Sequence, residues 1–180
     1  MAQDETGEGL TYTYTYGALF EPPEGRIIHG MGQWEKENID YLDMLDDASI
    51  HPLFQLFFFD IEPVRPWKMV VAKLKAYLLL ETQAQRIPFI SLEMSGTEKK
   101  ERERQKSLKR SPYFAIDDVV AESNKYDDRL AFIADLLKEY GRPIFLRIGG
   151  EFNGPWKGYH PFLFPKAFRK IVTLFKRKGA

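Results

Sequence analysis

The chain has 180 residues, 44% of them hydrophobic, and its 26 basic residues balance 26 acidic ones. This length and hydrophobic fraction fit one globular domain with a proper core, and they exclude a disordered chain or a coiled coil. A formal net charge of zero leaves no global field that would draw the protein to nucleic acid or to an anionic membrane. The chain has no cysteine, which excludes disulfides and thiolate metal sites and leaves the redox compartment open.

The first residues of the chain leave the cellular compartment of the protein open. Residues 1–9 are acidic and polar and lack the apolar segment of a secretory signal. We therefore expect either a protein that stays inside the cell or one from which a signal was removed. The longest apolar runs, such as Leu53–Ile61, are too short and interrupted to cross a bilayer, so we expect no membrane partner.

The first part of the chain predicts an extended arm, a strand and a helix. Residues 1–16 contain alternating Thr and Tyr, which favour extended structure, and we interpret them as an arm or an added strand before a domain over 17–180. The first strand is predicted over Arg26–Met31 and ends at two glycines. The helix predicted over Trp34–Leu45 has apolar residues at helical spacing.

The middle of the chain predicts two further strands with a helix between them. Leu53–Ile61 is a dense apolar run whose length and aromatic content favour a buried strand over a helix. Pro66 suits the first turn of a helix that continues through Leu78. Ile87–Met94 is predicted as the third strand. The stretch Glu98–Arg110 mixes both signs of charge, which predicts a solvated loop or a short surface helix.

The last part of the chain predicts a helix, a fourth strand and a final helix. Asp127–Tyr140 is amphipathic, and Gly141 is its stop signal. Ile144–Ile148 is a nearly continuous apolar run, typical of a parallel strand covered on both faces. The final helix is predicted over Pro165–Lys178, with Phe168 among its inward residues. This alternation, without a linker that would divide it, predicts one α/β domain with parallel strands.

The predicted fourth strand ends at a glycine pair and delivers a carboxylate beside a tryptophan. Arg147 interrupts the apolar run and therefore needs a partner or a ligand. Gly149 and Gly150 leave space for a ligand to approach, and Glu151 follows them. Trp156 offers a flat apolar face of the kind on which sugar rings stack. The layout indicates a sugar-cleaving site, and the structural alternative is a strand end with an Arg–Glu ion pair.

The spacing of Arg147, Glu151, Asn153, Gly154 and Trp156 resembles the acid/base strand of glycoside hydrolase family 26. That family is a β-mannanase-like group within the clan of retaining (β/α)8-barrel glycosidases. Further segments look like the same barrel, and together they cover most of the chain from about residue 17: Gly30–Gln33, Tyr126–Leu130, Tyr159–Phe162 and Ala167–Arg169.

The resemblance implies hydrolysis of a β-linked polysaccharide, mannan-like or glucan-like, with Glu151 as the general acid/base. It further implies that Arg147 orients the site, that Asn153 forms a hydrogen bond and that Trp156 stacks on a sugar. Family members usually carry His directly before the acid/base glutamate, whereas this chain has Gly150. That departure changes the usual contacts with the sugar or the nucleophile.

A few other polar residues are candidates for sugar binding. His29 and Gln33 lie near the end of the predicted first strand, and Tyr159 and His160 lie in the loop after the fourth, where such ends face the active-site mouth. A hydrogen-bonded structural role is the alternative for His29. The three histidines lack metal-ligand spacing, and no phosphate loop or dinucleotide fingerprint is present, so we expect no metal and no cofactor.

Four strand–helix units are predicted, whereas a closed barrel of this type has eight. We therefore expect a (β/α)4 half of a TIM-type barrel, closed by a second copy in a homodimer or higher homo-oligomer. A retaining site needs two carboxyl groups about 5 to 5.5 Å apart. The resemblance implies that the nucleophile lies at the end of the seventh strand. In a dimer closed in barrel order the third strand of the other copy takes that position, and Glu93 near its end would supply the nucleophile.

Four alternatives stay open. Glu93 could pair with Arg147 within one chain, and the chain could be a fragment of a full barrel. The protein could also be a catalytically silent carbohydrate-binding protein or a purely structural half barrel.

Overall fold

The computed structural model describes residues 27–33, 35–47, 50–63, 65–94 and 113–180. The predicted arm over 1–16, Trp34 and the charged stretch Glu98–Arg110 lie outside these residues. Across the described ranges, no helix combines the length and the apolar character that a bilayer span requires.

Strands and helices alternate along the described chain. The strands are β1 (Gly30–Met31), β2 (Phe54–Asp60), β3 (Phe89–Glu93) and β4 (Phe145–Ile148). The helices are α1 (Glu35–Asp43), α2 (Trp67–Gln83), α3 (Asp117–Glu122), α4 (Asp127–Tyr140) and α5 (Phe164–Lys178). The α/β fold is confirmed, and the bounds of β2, β3 and β4 lie within two residues of those predicted. The short helix α3 was not predicted, and β1 is shorter than expected.

The four strands form one parallel sheet in the order β1-β2-β3-β4, so each strand lies beside its neighbour in the sequence. Leu56, Phe89 and Phe145 are level with one another across the sheet, and Asp60 is level with Glu93 at the carboxyl end. Sequential parallel strands joined through helices are consistent with half of a (β/α)8 barrel.

One face of the sheet is covered by helices. Phe59, Ile90, Leu92 and Ile148 point to this side and are buried. They pack with apolar residues of α2, α4 and α5 in a single core, including Leu74, Leu78, Leu130, Ile133, Leu137, Ile171 and Phe175. Because β2, β3 and β4 are parallel neighbours, their carboxyl ends lie together at one edge of the sheet.

The opposite face, which we call the inner face, carries Leu56, Phe58, Phe89, Phe145 and Arg147. Each of these side chains is half-buried. Phe89 and Phe145 meet edge to face with ring centroids 5.9 Å apart. The inner face is therefore apolar at the amino end of the sheet and becomes polar toward the carboxyl end.

The inward side of α5 differs from the prediction at one position. Phe168 is 42% exposed, whereas Ala167, Ile171, Leu174 and Phe175 are buried. Those four residues follow the i, i+4, i+7, i+8 spacing of one helical face, and this spacing places Phe168 at the border of the stripe. The helix itself begins one residue before the predicted start and ends as predicted.

Candidate active site

The candidate site lies where β3 and β4 end and the chain turns toward α5. Gly149 has a φ of +69°, which favours glycine, and its N–H donates to the carbonyl oxygen of Leu92 at 2.8 Å. A β-carbon at Gly149 would collide with the ring of Phe164. Gly149 thus lets the chain leave the sheet while it stays bonded to β3.

Glu151 lies in this turn and adopts a left-handed backbone conformation, with φ of +54°. This conformation is uncommon for a residue other than glycine, and such strain is concentrated at functional sites. The side chain is 48% exposed. Its Oε2 accepts a hydrogen bond from the indole N–H of Trp156 at 2.8 Å, so the predicted neighbours Glu151 and Trp156 are in contact.

Glu93 is only 3% exposed, and both of its carboxylate oxygens are filled by donors. Oε1 accepts from the Ser91 hydroxyl at 2.5 Å and from the Gly150 N–H at 3.2 Å. Oε2 accepts from the Lys157 ammonium at 3.0 Å and from the Tyr159 hydroxyl at 3.4 Å. These donors match the four lone-pair positions of a carboxylate. In this arrangement Glu93 is an anchor whose ion pair is with Lys157.

Lys157 connects the two carboxylates. Its ammonium nitrogen lies 3.0 Å from Oε2 of Glu93 and 3.9 Å from Oε2 of Glu151, so these two oxygens are no more than about 6.9 Å apart. The same nitrogen lies 5.6 Å from the centroid of the Phe58 ring. Sequence reasoning missed Lys157, because nothing in the sequence distinguishes it from a solvated loop lysine.

Arg147 finds its partners on the inner face. Its Nε donates to the Ser91 hydroxyl at 2.9 Å, and its guanidinium lies over the rings of Phe58 and Phe89 at 5.4 and 5.8 Å from their centroids. Since Ser91 also donates to Glu93, Arg147 acts on the carboxylate through the hydroxyl. Such a chain of hydrogen bonds stabilises the buried carboxylate of Glu93.

Tyr159 joins the network from the loop before α5. Its hydroxyl accepts from the Met94 N–H at 3.1 Å and donates to Glu93. Burial, together with the nearby charge of Glu93, raises the pKa of Tyr159 far above its ordinary value. Tyr159 therefore stays a neutral hydrogen-bond donor throughout the physiological range.

A cleft of about 450 Å³ lies beside this network. Asn153, Tyr159 and His160, all predicted to line the site, are among its lining residues, and much of the remaining wall is aromatic or proline: Tyr113, Phe152, Pro155, Pro161, Phe164 and Pro165. Trp156 lies on the surface nearby, 67% exposed. The wall thus combines ring faces with a few polar groups, as small-ligand sites do.

His29 lies far from this network. It precedes β1, its carbonyl accepts from the N–H of Leu53, and its ring Nε2 lies 2.8 Å from the carbonyl oxygen of Ile50. Leu53 is seven residues before Asp60, which is level with Glu93, and seven strand residues span about 23 Å. His29 is thus at the amino end of β2, whereas a place near the carboxyl end was expected. Gln33 is exposed and follows β1, which among the described strands pairs with the start of β2.

Asp117 is a buried carboxyl group that sequence reasoning also missed. It lies in the unpredicted helix α3, is 1% exposed, and accepts from the His160 N–H at 2.9 Å. Burial, assisted by the charge of Asp118 and opposed by the hydrogen bond from His160, raises its pKa to about 6. Asp117 holds the cleft residue His160 in place.

Metal binding has no obvious location here, since the part of the chain that the structure describes contains no group of three His, Cys, Asp or Glu side chains able to hold an ion. Comparison with known proteins finds no family model that matches the chain and no curated relative. The relationship to glycoside hydrolase family 26 therefore stays a prediction, and it rests on the motif around Glu151.

Substitution of Gly150 by Ala is expected to lower the free energy of unfolding by about 1 to 3 kcal/mol. A β-carbon there would lie 2.5 to 2.8 Å from Glu93, Arg147 and Ser91 side-chain atoms, so the network must move. Gly32→Ala is the matched control, because a β-carbon at Gly32 meets nothing within 4 Å. Urea unfolding measures both variants, and equal stabilities for the two would contradict the packing described.

Substitution of Asp117 by Asn is expected to remove a pH dependence of stability. The pKa of Asp117 is raised from 3.8 to about 6 in the folded state, so its stabilising contribution is complete below pH 4 and is lost as the pH rises through 6. The full difference is about 3 kcal/mol. Unfolding free energies measured from pH 4 to 7.5 should fall for the unmodified protein relative to Asp117→Asn, while the exposed Asp128→Asn control follows the unmodified protein. Parallel curves for Asp117→Asn and the unmodified protein would refute the assignment.

Proposed function

We propose that this protein hydrolyses a β-linked polysaccharide of the mannan or glucan type, with Glu151 as the general acid/base. The observation that carries the proposal is the state of Glu151: a half-exposed carboxylate in a strained backbone conformation at the carboxyl end of β4, bonded to an exposed indole. Catalytic groups of barrel enzymes come from this end of the strands.

Hydrolysis requires a group that gives a proton to the glycosidic oxygen and later removes one from water. Among the described residues, the polar contacts of Glu151 fall on Oε2, through Trp156 and Lys157. Oε1 is therefore the oxygen that we assign to proton transfer. The indole N–H restricts the orientation of the carboxyl group through Oε2, and proton transfer from Oε1 to a bound sugar requires a defined orientation.

The surroundings of Glu151 suit a carbohydrate. Trp156 is 67% and Phe152 is 62% exposed, and both offer ring faces on which the C–H side of a sugar can stack. The neighbouring cleft of about 450 Å³ contributes Asn153 and His160 as polar groups for hydroxyls. A cleft of this volume is in the range of small-ligand sites.

The retaining reaction also needs a nucleophilic carboxylate, and we propose that a second copy of the chain supplies it across the inner face. The inner face presents half-buried apolar side chains, including Leu56 and Phe145, which a second copy would cover. In a dimer closed in barrel order, Glu93 of the second copy takes the nucleophile's place. Before its carboxylate could attack the sugar, it would have to give up some of its four hydrogen bonds and contact the substrate instead.

A catalytically silent carbohydrate-binding protein is the second candidate, and one observation favours it. All four acceptor positions of Glu93 are occupied by donors from its own chain. A carboxylate so fixed stabilises structure and is a poor nucleophile. The aromatic surface around Trp156 would then bind sugar without cleaving it.

Glu151→Gln is expected to lower kcat/KM on chromogenic aryl β-mannosides and β-glucosides by about 10² to 10⁴, the usual contribution of a general acid/base. The amide keeps the size of the side chain and removes the proton transfer. Glu139→Gln on the exposed surface of α4 is the matched control and should keep full activity.

Calorimetric titration with manno- and cello-oligosaccharides separates the two candidates. Turnover that is lost in Glu151→Gln supports hydrolysis, and turnover that survives contradicts it. Oligosaccharide affinity without any release of aglycone from the unmodified protein indicates a binding protein. A protein that shows no turnover and no oligosaccharide affinity would exclude both functions.

The assembly is tested by light scattering at micromolar concentration, which should give a mass near twice the 21.0 kDa of one chain. Leu56→Asp on the inner face should shift the mass to that of one chain, because it places a charge in the proposed interface. Leu79→Asp is the control, since Leu79 is exposed on α2. A monomeric unmodified protein would refute closure by a second copy.

A further inference from the structure

We propose that Lys157 is a positioning residue for Glu151, with its ammonium held in place by the buried carboxylate of Glu93. The inference rests on the proposed function in assigning the chemistry to Glu151, whereas the arrangement of charges is independent of it. Lys157 is neither part of the motif that suggested the function nor predicted from the sequence.

The position of the Lys157 ammonium is fixed from one side by Glu93. A lysine has a flexible four-carbon stem, so its ammonium needs an anchor before it can act at a defined point. Glu93 provides one at 3.0 Å and is itself held by three other donors. The Phe58 ring lies on a further side of the ammonium. The Lys157 side chain is accordingly only 16% exposed.

Glu151 is the group that this fixed charge can act on. Its Oε2 accepts the indole hydrogen bond of Trp156 at 2.8 Å and lies 3.9 Å from the ammonium, so a hydrogen bond and a longer ion pair act on one carboxylate oxygen. The indole N–H alone would let the half-exposed carboxyl group pivot about a single hydrogen bond. The ion pair restricts that motion, and a displacement of about 1 Å at a reacting group can cost 10²-fold in rate.

Gly150 completes the unit. Its N–H donates to Glu93 Oε1, and the absence of a side chain at this position leaves room for the Glu93 carboxylate, which would lie 2.5 Å from an added β-carbon. Gly150, Glu93 and Lys157 therefore depend on one another. The glycine directly before Glu151 allows a buried carboxylate and its ammonium to reach the site.

Kinetics on the aryl glycosides test the role. Lys157→Met keeps the unbranched stem of the side chain and removes the charged ammonium, and we expect kcat to fall roughly 10- to 100-fold while KM stays within about twofold. Lys157→Arg keeps the charge and is expected to recover most of kcat. Unchanged kcat in Lys157→Met would overturn the proposal, as would a loss confined to KM.

A spectroscopic measurement tests the same role without activity. The indole N–H of Trp156 donates to Glu151, so its proton–nitrogen resonance, assigned with Trp156→Phe, should shift in Lys157→Met. The indole resonance of Trp67, on α2, serves as the internal control and should not move. If the unmodified protein shows no turnover, the proposed function fails, and this resonance still decides on Lys157: an unshifted Trp156 signal refutes the positioning role.

A double variant separates positioning from folding. Lys157→Met leaves the buried Glu93 charge without its ion pair, which is strongly destabilising. The Glu93→Gln/Lys157→Met variant removes both charges, and we expect it to melt at a higher temperature than Lys157→Met and to keep the shifted Trp156 resonance. A merely structural role predicts that the Trp156 resonance returns to its unmodified position together with the melting temperature, and that result would overturn the proposal. The readout here is the resonance and not kcat, because Glu93 is also the proposed nucleophile.

Discussion

The buried carboxylate of Glu93 is the constraint on which the carboxyl end of the sheet depends. A charge that is 3% exposed is tolerated only when it is paired and hydrogen-bonded. Glu93 meets this requirement with donors from three places in the chain: the Ser91 hydroxyl of its own strand, the Gly150 N–H after β4, and Lys157 and Tyr159 in the loop before α5. The same four contacts therefore fix the path of that loop, and this path determines where Glu151 lies.

The location of this charge follows from the register of the sheet. Leu56, Phe89 and Phe145 are level at the amino end of the inner face, while Asp60 and Glu93 are level at the carboxyl end. Burial against other aromatic rings stabilises the apolar layer, and the polar layer lies where the loops after the strands can supply hydrogen-bond donors. The inner face thus changes from apolar side chains at the amino end of the strands to polar side chains at the carboxyl end. A functional site at the other end would have to place charges in the aromatic layer.

The sequence was informative where one strong local signal decides the structure. The length and aromatic content of the apolar run Leu53–Ile61 favoured a strand over a helix, and β2 occupies nearly the same residues. The glycine pair before Glu151 likewise indicated the turn. Lys157 could not be found in this way, because its role depends on a carboxylate 64 residues away. His29 was misplaced because pairing with the start of β2, a long-range contact, decides which end of the sheet it occupies.

The strength of the contact between Lys157 and Glu151 depends on how much water reaches it. Glu151 is 48% exposed, and an ion pair at such a surface contributes little because solvent screens it. The same two charges attract several times more strongly when the local dielectric constant falls. Covering the inner face would exclude water from Phe58, which lies beside the ammonium, and would lower that constant at the pair. A partner that covered the inner face would therefore also strengthen the attraction between Lys157 and Glu151.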